Sequence, residues 1–515
     1  MLRSLTRAHR AAAKASAAPV AARALLSTAV RAPALQQLSA LVSEPAGAHF
    51  DAVVLGAGIG GVAAAVGITS PAITRVTLDT VPVDVNAAPS STAAAVVDLT
   101  TPAGERKRVL VLESEGDFCF HSTGRSAAIY SEVYGSPAVR ALSTATKPFY
   151  YAHAASGLVS ETPLAVRRPA LHVTNDPAQA DIKTIYAESA PLVPSLRHIT
   201  PAEAVDACPW LIGATEDFLH RGEPASNLDA EETEKRRAAV ITGALLEPDA
   251  ATMDVDAIWT SMTKLARGNG AAFVKGAAVT DATVDAASNR WTLKIAPSES
   301  NAVSPNAGET VSVTTDLVVN ASGAWADTVA SKFGVAPVGI TPMRRTIIQF
   351  DPADVAPAFP AAAGFADKDA YLRAQGAWPA VFDAHDTYYY KPESGRVLAS
   401  PADETPTEPC DAQPDDWDIA VCVDRLNDAT PFRPRKVAEK WAGLRCFATD
   451  REFVIGEDAS AKGFFWMAGL GGYGIQTAMG NAKLIAGLVH EGKVPQELKK
   501  WGFDESKISP NRFRK

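Results

Sequence analysis

The stretch AVVLGAGIGG, residues 52–61, decides how this 515-residue chain begins to fold. Its first four residues form an apolar run typical of a buried parallel strand, and the next six fit the pattern GxGxxG. Gly56 permits the tight turn, Gly58 lets the backbone approach a pyrophosphate, and Gly61 lets the following helix pack close to the strand. The stretch therefore predicts a strand–turn–helix unit that binds a dinucleotide at the helix N-terminus.

The same region could be mistaken for a membrane span, because no charged residue occurs from 52 to 74. Five glycines and one proline interrupt it. Because these residues destabilise a helix interior, we expect no transmembrane span.

A dinucleotide unit of this kind places an acid at the end of its second strand, where it binds a ribose hydroxyl. Asp79 has the usual spacing of about 20 residues from the glycines, whereas Glu113 lies much farther along the chain. We favour Glu113, because VLVLE at 109–113 reads as a cleaner buried strand than VTLDT at 76–80. Residues 70–107 are then an insertion in the first crossover, either a surface hairpin or a sequence artefact.

The composition is that of an ordinary globular protein, with 47% hydrophobic and 21% charged residues. Five cysteines without a CxxC pair predict no metal site. All 58 acidic residues follow residue 43, and the net charge of −9 argues against nucleic-acid binding. Residues 1–45 are rich in Ala, Ser and Arg, which is typical of a mitochondrial transit peptide, with a disordered tail as the alternative. We therefore expect a mitochondrial protein, in the matrix or at the inner-membrane periphery.

Four further motifs follow in a characteristic order along the chain. They are HSTGRSAA at 121–128, NASGAWAD at 320–327, WAGLRCF at 441–447 and GLGGYGIQT at 469–477. Together with the first glycine loop, they resemble the FAD-dependent D-amino-acid oxidase and dehydrogenase superfamily. The nearest likeness is to its D-arginine dehydrogenase-like branch.

The resemblance implies an α/β protein in which a Rossmann-like FAD-binding domain is interleaved with an α+β substrate domain on an antiparallel sheet. The FAD-binding domain would comprise residues 46–136, 226–330 and 435–500. The substrate domain would comprise 137–225 and 331–434, followed by a C-terminal tail at 501–515.

The resemblance also implies which residues contact non-covalent FAD. The glycine loop would meet the pyrophosphate, Glu113 the adenosine ribose and Ala278 the adenine end, while the second glycine loop would lie along the flavin ring. Relatives that attach the flavin covalently use a cysteine where this chain has Gly443, and relatives often have arginine where it has Ser114. The full set is Gly56, Gly58, Gly60, Gly61, Glu113, Ser114, Ser122, Thr123, Gly124, Arg125, Ser126, Ala127, Ala128, Ala278, Gly471, Gly472, Tyr473, Gly474, Ile475 and Gln476.

For the substrate, the resemblance implies a carboxylate clamp of Arg345, Tyr389 and Arg445. The planar guanidinium binds a carboxylate bidentately, and a fixed carboxylate aims the Cα–H at flavin N5. Tyr134 would close over the site, and the site would be bordered by Gly472 and Gln476.

The residues alone leave other interpretations of the clamp open. Arg345 could form a domain-interface ion pair, as its neighbour Arg344 is expected to do. Tyr389 could be a core aromatic, with its two tyrosine neighbours on the opposite face of the strand. Arg445 could pair with Asp450.

Two departures from relatives that take cationic D-amino acids bear on the substrate. This chain has Ala170 where those relatives have a carboxylate, and Ile129 where they have a histidine. Because a buried cation without a partner is costly, we expect oxidation of neutral, apolar D-amino acids to imino acids. Oxygen, a quinone and an electron carrier are all open as the electron acceptor.

Other reactions remain compatible with the same residues. An L-2-hydroxy acid or an N-methyl amino acid such as sarcosine also offers a carboxylate to the clamp. An NAD(P) dehydrogenase shares GxGxxG but explains neither HSTGRSAA nor GGYGIQT. A non-catalytic FAD-binding protein is a further alternative.

Overall fold

A computed structural model describes residues 33–44, 47–81, 97–152, 155–214, 229–231, 238, 240–299, 302–303, 310–357 and 359–514. Most of the predicted transit peptide and the centre of the predicted insertion, NAAPSST at 86–92, lie outside these residues. No helix in the described part of the chain combines the length and apolarity needed to cross a bilayer.

The strands are β1 (His49–Leu55), β2 (Val109–Glu113), β3 (Ile129–Tyr130), β4 (Ala165–Arg167), β5 (Ala170–Thr174), β6 (Arg197–Ile199), β7 (Gly243–Glu247), β8 (Ala251–Met253), β9 (Ala271–Lys275), β10 (Ala277–Asp285), β11 (Arg290–Glu299), β12 (Ala302–Val303), β13 (Val311–Asn320), β14 (Thr341–Phe350), β15 (Ala380–Asp383), β16 (Tyr389–Glu393), β17 (Arg396–Ser400), β18 (Thr405–Pro406), β19 (Val437–Phe447), β20 (Val454–Glu457) and β21 (Phe464–Ala468).

The α-helices are α1 (33–42), α2 (Ile59–Thr69), α3 (Pro137–Tyr151), α4 (Ala180–Ser189), α5 (Pro201–Ala207), α6 (Val255–Gly268), α7 (Ala326–Lys332), α8 (Phe359–Ala362), α9 (Lys368–Ala374), α10 (Asp416–Ala429), α11 (Ala478–Ala486) and α12 (Gln496–Lys500).

Five strands of the first sheet run parallel in the order β9–β2–β1–β13–β21. β1 pairs with β2, so VLVLE is the second strand of the unit and the preference for it over VTLDT is confirmed. Strand β13 pairs antiparallel with β11 through its first half and parallel with β21 through its last residues. The carboxyl ends of β1, β2 and β13 meet at one edge, which is where open α/β sheets bind ligands.

Helix α2 begins directly after the glycine turn and packs against the sheet, α6 and α11. All its residues are buried, which its small side chains make possible. A Cβ on Gly61 would lie 1.8 Å from the carbonyl oxygen of Gly56. The close approach of helix and strand that the sequence predicts at Gly61 is therefore present.

The described ends of the 70–107 segment are built into the core. The buried side chain of Asn269 accepts a hydrogen bond from Thr101 N at 3.0 Å and donates to Ser70 Oγ at 2.7 Å and to Leu99 O at 2.8 Å. The two ends of the segment are thus held by one side chain of the helix α6 C-cap.

Helix α1 falls within the predicted transit peptide, yet it packs onto the first sheet. Ala34 and Leu38 are 3% and 0% exposed, and Gln37 Nε2 donates to Phe273 O at 3.0 Å. The folded body therefore begins before residue 45, earlier than the boundary predicted from composition, because apolar positions in this stretch are covered by the sheet.

The second sheet is mainly antiparallel, in the order β18–β14–β17–β16–β15–β5–β7–β6, with β19 also paired to β14. β14 and β19 pair along their length, which places Arg345 opposite Gly443 and Met343 opposite Arg445. A small third sheet has the order β3–β8–β4. The predicted combination of a Rossmann-like layer with an antiparallel platform is confirmed.

Candidate active site

Two cavities adjoin at the carboxyl ends of β1, β2 and β13. The first, the glutamate cavity, has a volume of about 1100 Å³ and contains Glu113 in its wall. The second, the arginine cavity, has a volume of about 1300 Å³ and contains Arg345 and Arg445. Both are lined by Gly58, Ser122, Thr123, Ala321, Gly323 and Leu444. They form one elongated space from the parallel sheet to the antiparallel sheet, which suits an extended dinucleotide with an adjoining substrate.

Glu113 fixes the first glycine loop at the glutamate cavity. Its Oε2 accepts from Ala57 N at 3.0 Å, and its Oε1 accepts from Glu115 N at 3.0 Å. Burial raises the pKa of this carboxyl, although the two backbone donors act in the opposite direction. Each carboxylate oxygen has more than one lone pair, so both can also accept from ribose hydroxyls.

Ser114 and Ala278, the latter on β10, form another part of the wall of the same cavity. His121 also lines it, with its Nε2 2.8 Å from Glu115 Oε1 and its ring 4.6 Å from that of Trp325. These contacts hold the His121 ring in the cavity wall.

The HSTGRSAA segment runs from one cavity to the other, and Ser122 and Thr123 line both. Thr123 Oγ1 accepts from Ile59 N at 3.0 Å, which ties the segment to the N-terminus of α2. Ser122 Oγ donates to Leu444 O at 2.6 Å, which ties it to β19. The segment therefore joins the parallel sheet to the antiparallel platform.

Arg125 lines the arginine cavity, but its guanidinium is engaged by protein groups. It binds Asp411 at 2.5 Å and donates to the carbonyl oxygens of Ala412 at 2.9 Å and Ala442 at 3.1 Å. The side chain thus holds three chain segments together.

Ala128, at the end of the same segment, has a φ of 56°, a strained backbone conformation for alanine in the cavity wall.

Arg445 and Tyr134 meet across the arginine cavity, where Arg445 Nη1 donates to Tyr134 Oη at 3.0 Å. Burial by itself would lower the pKa of this guanidinium, but the oxygens of Tyr134 and Tyr389 raise it overall. Asp450, the alternative partner considered for Arg445, binds Arg512 instead. Arg445 is therefore a permanent cation in the cavity wall.

Arg345 and Tyr389 supply unpartnered polar atoms to the same cavity. Arg345 Nε donates to Asp403 O at 2.8 Å, and Nη2 lies 3.2 Å from Glu404 Oε1. Arg345 Nη1 and Tyr389 Oη are buried and have no hydrogen-bond partner among the described residues. Such an orphaned group costs about 1–3 kcal/mol, a penalty that a bound carboxylate would remove.

The two tyrosine neighbours of Tyr389 behave as the sequence predicts, whereas Arg344 forms an ion pair within the predicted substrate domain and not across a domain interface, because both it and its partner lie in residues 331–434. Arg344 pairs with Asp418 at 2.8 Å, away from the cavity. Tyr388 and Tyr390 stack with an interplanar angle of 8° on the other side of the strand, where Tyr390 is in the core of the substrate domain. Strand alternation therefore separates Tyr389 from both adjacent tyrosines.

The second glycine loop lies against the clamp. Gly471 N donates to Cys446 O at 2.8 Å, which joins the loop to β19. A Cβ on Gly472 would lie 2.7 Å from Arg445 Cζ. Gln476 Nε2 donates to Ser131 O at 3.1 Å and so fixes the opposite wall.

The structure brings nearly all the implied site residues together. Every one lines one of the two cavities except Gly61, Gly124 and Tyr473. Of the two departures used to predict the substrate, Ile129 lines the arginine cavity. Ala170 is buried in β5, and it is not part of the described cavity walls.

Sequence reasoning missed several residues of the arginine cavity wall. Phe382 on β15 has its ring 6.4 Å from that of Tyr134 and 5.8 Å from that of Tyr389. Ser131, Ile347 and Met253 are further examples. None belongs to a motif, and the only sequence signal was alternation along Phe382's strand.

A family model described as "DAO: FAD dependent oxidoreductase" matches residues 90–488. The match begins after the first glycine loop. Strand β1, which leads into that loop, pairs with β2 inside the matched region.

Solved structures share the fold at low sequence identity. L-proline dehydrogenase from P. horikoshii is 17% identical, with a TM-score of 0.62 over 90% of this chain and 98% of its own. Glycine oxidase from Geobacillus kaustophilus is 17% identical, with a TM-score of 0.61 over 90% and 99%. L-amino acid deaminase from Proteus vulgaris is 16% identical, with a TM-score of 0.60 over 90% and 97%.

The family match covers well over half of the chain, and the paired cavities fit its cofactor. Glycine-lined backbone and the α2 N-terminus suit a pyrophosphate, Glu113 suits a ribose, and the second glycine loop suits a flat ring. The chain belongs to the DAO family of FAD-dependent oxidoreductases.

Proposed function

We propose that this protein oxidises neutral, apolar D-amino acids to imino acids. FAD, when bound, supplies the acceptor for the hydride that leaves Cα. The observation that carries the proposal is the buried, unpartnered pair of Arg345 Nη1 and Tyr389 Oη, which have no hydrogen-bond partner among the described residues and line a cavity shared with Arg445.

The chain's own residues would hold the substrate at three points. Arg345 and Arg445 supply two cations for one carboxylate, and Tyr389 adds a neutral hydroxyl. Tyr134, which is bound to Arg445, would close over the same group. A carboxylate fixed in this way restricts the rotation of Cα, which is the main contribution that positioning makes to hydride transfer.

The side-chain preference follows from the rest of the cavity wall. Ile129, Met253, Ile347 and Phe382 are apolar, and no Asp or Glu lines the cavity among the described residues. The ammonium of D-Lys or the guanidinium of D-Arg would lack an anionic partner there, which is unfavourable in a buried site. Neutral, apolar side chains are therefore favoured.

The proposal that the substrate has the D configuration rests on the likeness of HSTGRSAA and GGYGIQT to the D-arginine dehydrogenase-like branch. The named structural relatives act by their titles on L-proline, glycine and L-amino acids. Stereochemistry is consequently the point that a direct test must decide.

We also propose that FAD is bound without a covalent link. Gly443 offers no side chain for attachment. Cys446 lines the cavity, but burial raises the pKa of its thiol to about 12. Because the thiolate is the nucleophilic form, this cysteine is poorly suited to attack a flavin.

The test is anaerobic reduction of the purified yellow protein, followed as loss of flavin absorption. The panel pairs D- and L-alanine, D- and L-leucine and D-arginine with lactate enantiomers and sarcosine, and the cofactor is identified after acid denaturation. Bleaching fastest with D-leucine or D-alanine is expected. Faster bleaching by D-arginine, an L-amino acid, lactate or sarcosine would replace the proposed substrate, and no bleaching at all would favour a binding protein. Reoxidation by oxygen, a quinone or a carrier then identifies the electron acceptor.

We further propose import into mitochondria with cleavage before residue 33. The proposal rests on the Arg- and Ser-rich composition of the first residues and on the packing of α1, whose Leu38 is 0% exposed. N-terminal sequencing of the mature protein from eukaryotic cells tests it. Cleavage at or after residue 33, or no cleavage at all, would contradict the proposal.

A further inference from the structure

We propose that Glu404 controls the carboxylate affinity of the site by sharing Arg345 with the substrate. This inference rests on the proposed carboxylate clamp. Glu404 follows Asp403 at the end of the connection from β17, outside the cavity wall, and belongs to none of the motifs in the sequence.

The two terminal nitrogens of Arg345 have different surroundings: one lies next to a protein anion, and the other is in the wall of the arginine cavity. Its Nη2 lies 3.2 Å from Glu404 Oε1, whereas its Nη1 is buried and without a hydrogen-bond partner among the described residues. Nε is held separately by the carbonyl oxygen of Asp403 at 2.8 Å. The guanidinium therefore keeps its position through Asp403 even when the charge of Glu404 is removed.

Glu404 lowers the positive potential that a substrate carboxylate would meet. Arg345 is 4% exposed, so its charge needs a counter-ion when the site is empty. An incoming carboxylate shares the same guanidinium and is repelled by Glu404. The arrangement stabilises the empty site and weakens anion binding, which favours release of the carboxylate-bearing product.

Arg451 modulates this effect from the outside. Its Nη2 contacts both carboxylate oxygens of Glu404 at 2.9 Å, and its guanidinium lies 4.0 Å from the centre of the Phe447 ring. Arg451 thus neutralises part of the charge of Glu404. Removing Arg451 should strengthen the hold of Glu404 on Arg345.

Two substitutions consequently have opposite expected effects on anion affinity. Glu404→Gln removes the competing charge and should lower the Kd of a simple carboxylate by about 3- to 10-fold. Arg451→Gln should raise that Kd by about 2- to 3-fold. A merely structural role for this pair would weaken binding in both variants.

The experiment uses the FAD-loaded full chain and propionate as the probe, with binding read from the change in the flavin absorption spectrum. Propionamide, which has the same shape without the charge, serves as the ligand control. Glu439→Gln is the protein control, because Glu439 forms an exposed ion pair with Arg396 at 3.6 Å on the same sheet. The double variant of Glu404 and Arg451 should show a much smaller effect of Arg451→Gln.

A lower propionate Kd in Glu404→Gln, a higher one in Arg451→Gln and unchanged propionamide binding would support the inference. A propionate Kd that rises or stays constant in Glu404→Gln would overturn it while leaving the clamp intact. Failure of the unmodified protein to bind propionate would instead refute the clamp itself, and the role of Glu404 with it.

Discussion

Arg445 Nη1 and Tyr134 Oη form a 3.0 Å hydrogen bond across the arginine cavity, although the two residues are 311 positions apart. The bond links the segment after β3 to the end of β19 and sets the direction of the guanidinium fork. The first prediction tests this relationship directly.

Replacing Tyr134 with phenylalanine should weaken substrate binding more than it slows chemistry. Loss of a hydrogen bond to a charged group costs about 1.5 kcal/mol, so KM should rise about 10-fold. Steady-state kinetics with the best substrate of the panel measures the change, and Tyr186→Phe on α4 is the control. An unchanged KM would show that Tyr134 does not orient Arg445 in the working enzyme.

Gly472→Ala should disable the clamp even in the protein that retains FAD. The new Cβ would lie 2.7 Å from Arg445 Cζ, so the guanidinium must move. A displacement of about 1 Å can lower kcat/KM by about 100-fold. FAD content and kcat/KM are measured together, with Gly268→Ala as the control because, apart from its chain neighbours and the backbone of its own helix, no described atom lies within 4 Å of its Cβ position. Near-normal kcat/KM would place the carboxylate elsewhere.

Phe382→Ala should change which side chains the enzyme accepts. The ring is stacked on His172 at 5.3 Å and forms part of the cavity wall, so its removal enlarges the space beside Tyr389. We expect kcat/KM for bulky neutral amino acids to rise relative to alanine by about 10-fold or more, the range that differences in pocket fit produce. A parallel decrease for all substrates would indicate general disruption instead.

Asn269→Ala should destabilise the fold by about 3 kcal/mol, because three buried hydrogen bonds to both ends of the 70–107 segment are lost. Urea unfolding measures the loss. Asn175→Ala, whose exposed amide donates to Ala238 O at 2.7 Å, is the control and should cost less than about 1 kcal/mol. Equal losses in both variants would mean that the described ends of the segment contribute little to the core.

Asp458 should make a pH-dependent contribution to stability. Burial acts to raise the pKa of this carboxyl, but hydrogen bonds from Arg514, Ser460 and Trp466 lower it from 3.8 to about 2. Because the folded-state pKa is depressed, the stabilisation is complete well above pH 4 and is lost as the pH falls towards 2.

The difference in unfolding free energy between the native protein and Asp458→Asn should therefore be constant from about pH 7 to 5 and roughly halve at about pH 3. Urea unfolding at these pH values measures it. A difference that does not change with pH would show that the ionised carboxylate is not responsible.

Local sequence determined the elements whose physics is local. The strand run and glycines at 52–61 specify the turn and the helix, since close packing at Gly61 needs a residue without a side chain. The quality of VLVLE as a buried strand was enough to choose Glu113 over Asp79. Alternation along a strand was enough to separate Tyr389 from the tyrosines on either side.

Tertiary structure decided what depends on residues distant in the chain. The sequence could not show that Arg125 is engaged by Asp411, that Ala170 lies outside the described cavity walls, or that apolar residues of α1 are covered by the sheet. Phe382 and Glu404 carry no motif, because pocket shape and shared charge arise only when β14, β15 and β17 are assembled. Motifs consist of residues that a cofactor requires. The partners of a buried charge, by contrast, can come from any segment that the fold places next to that charge.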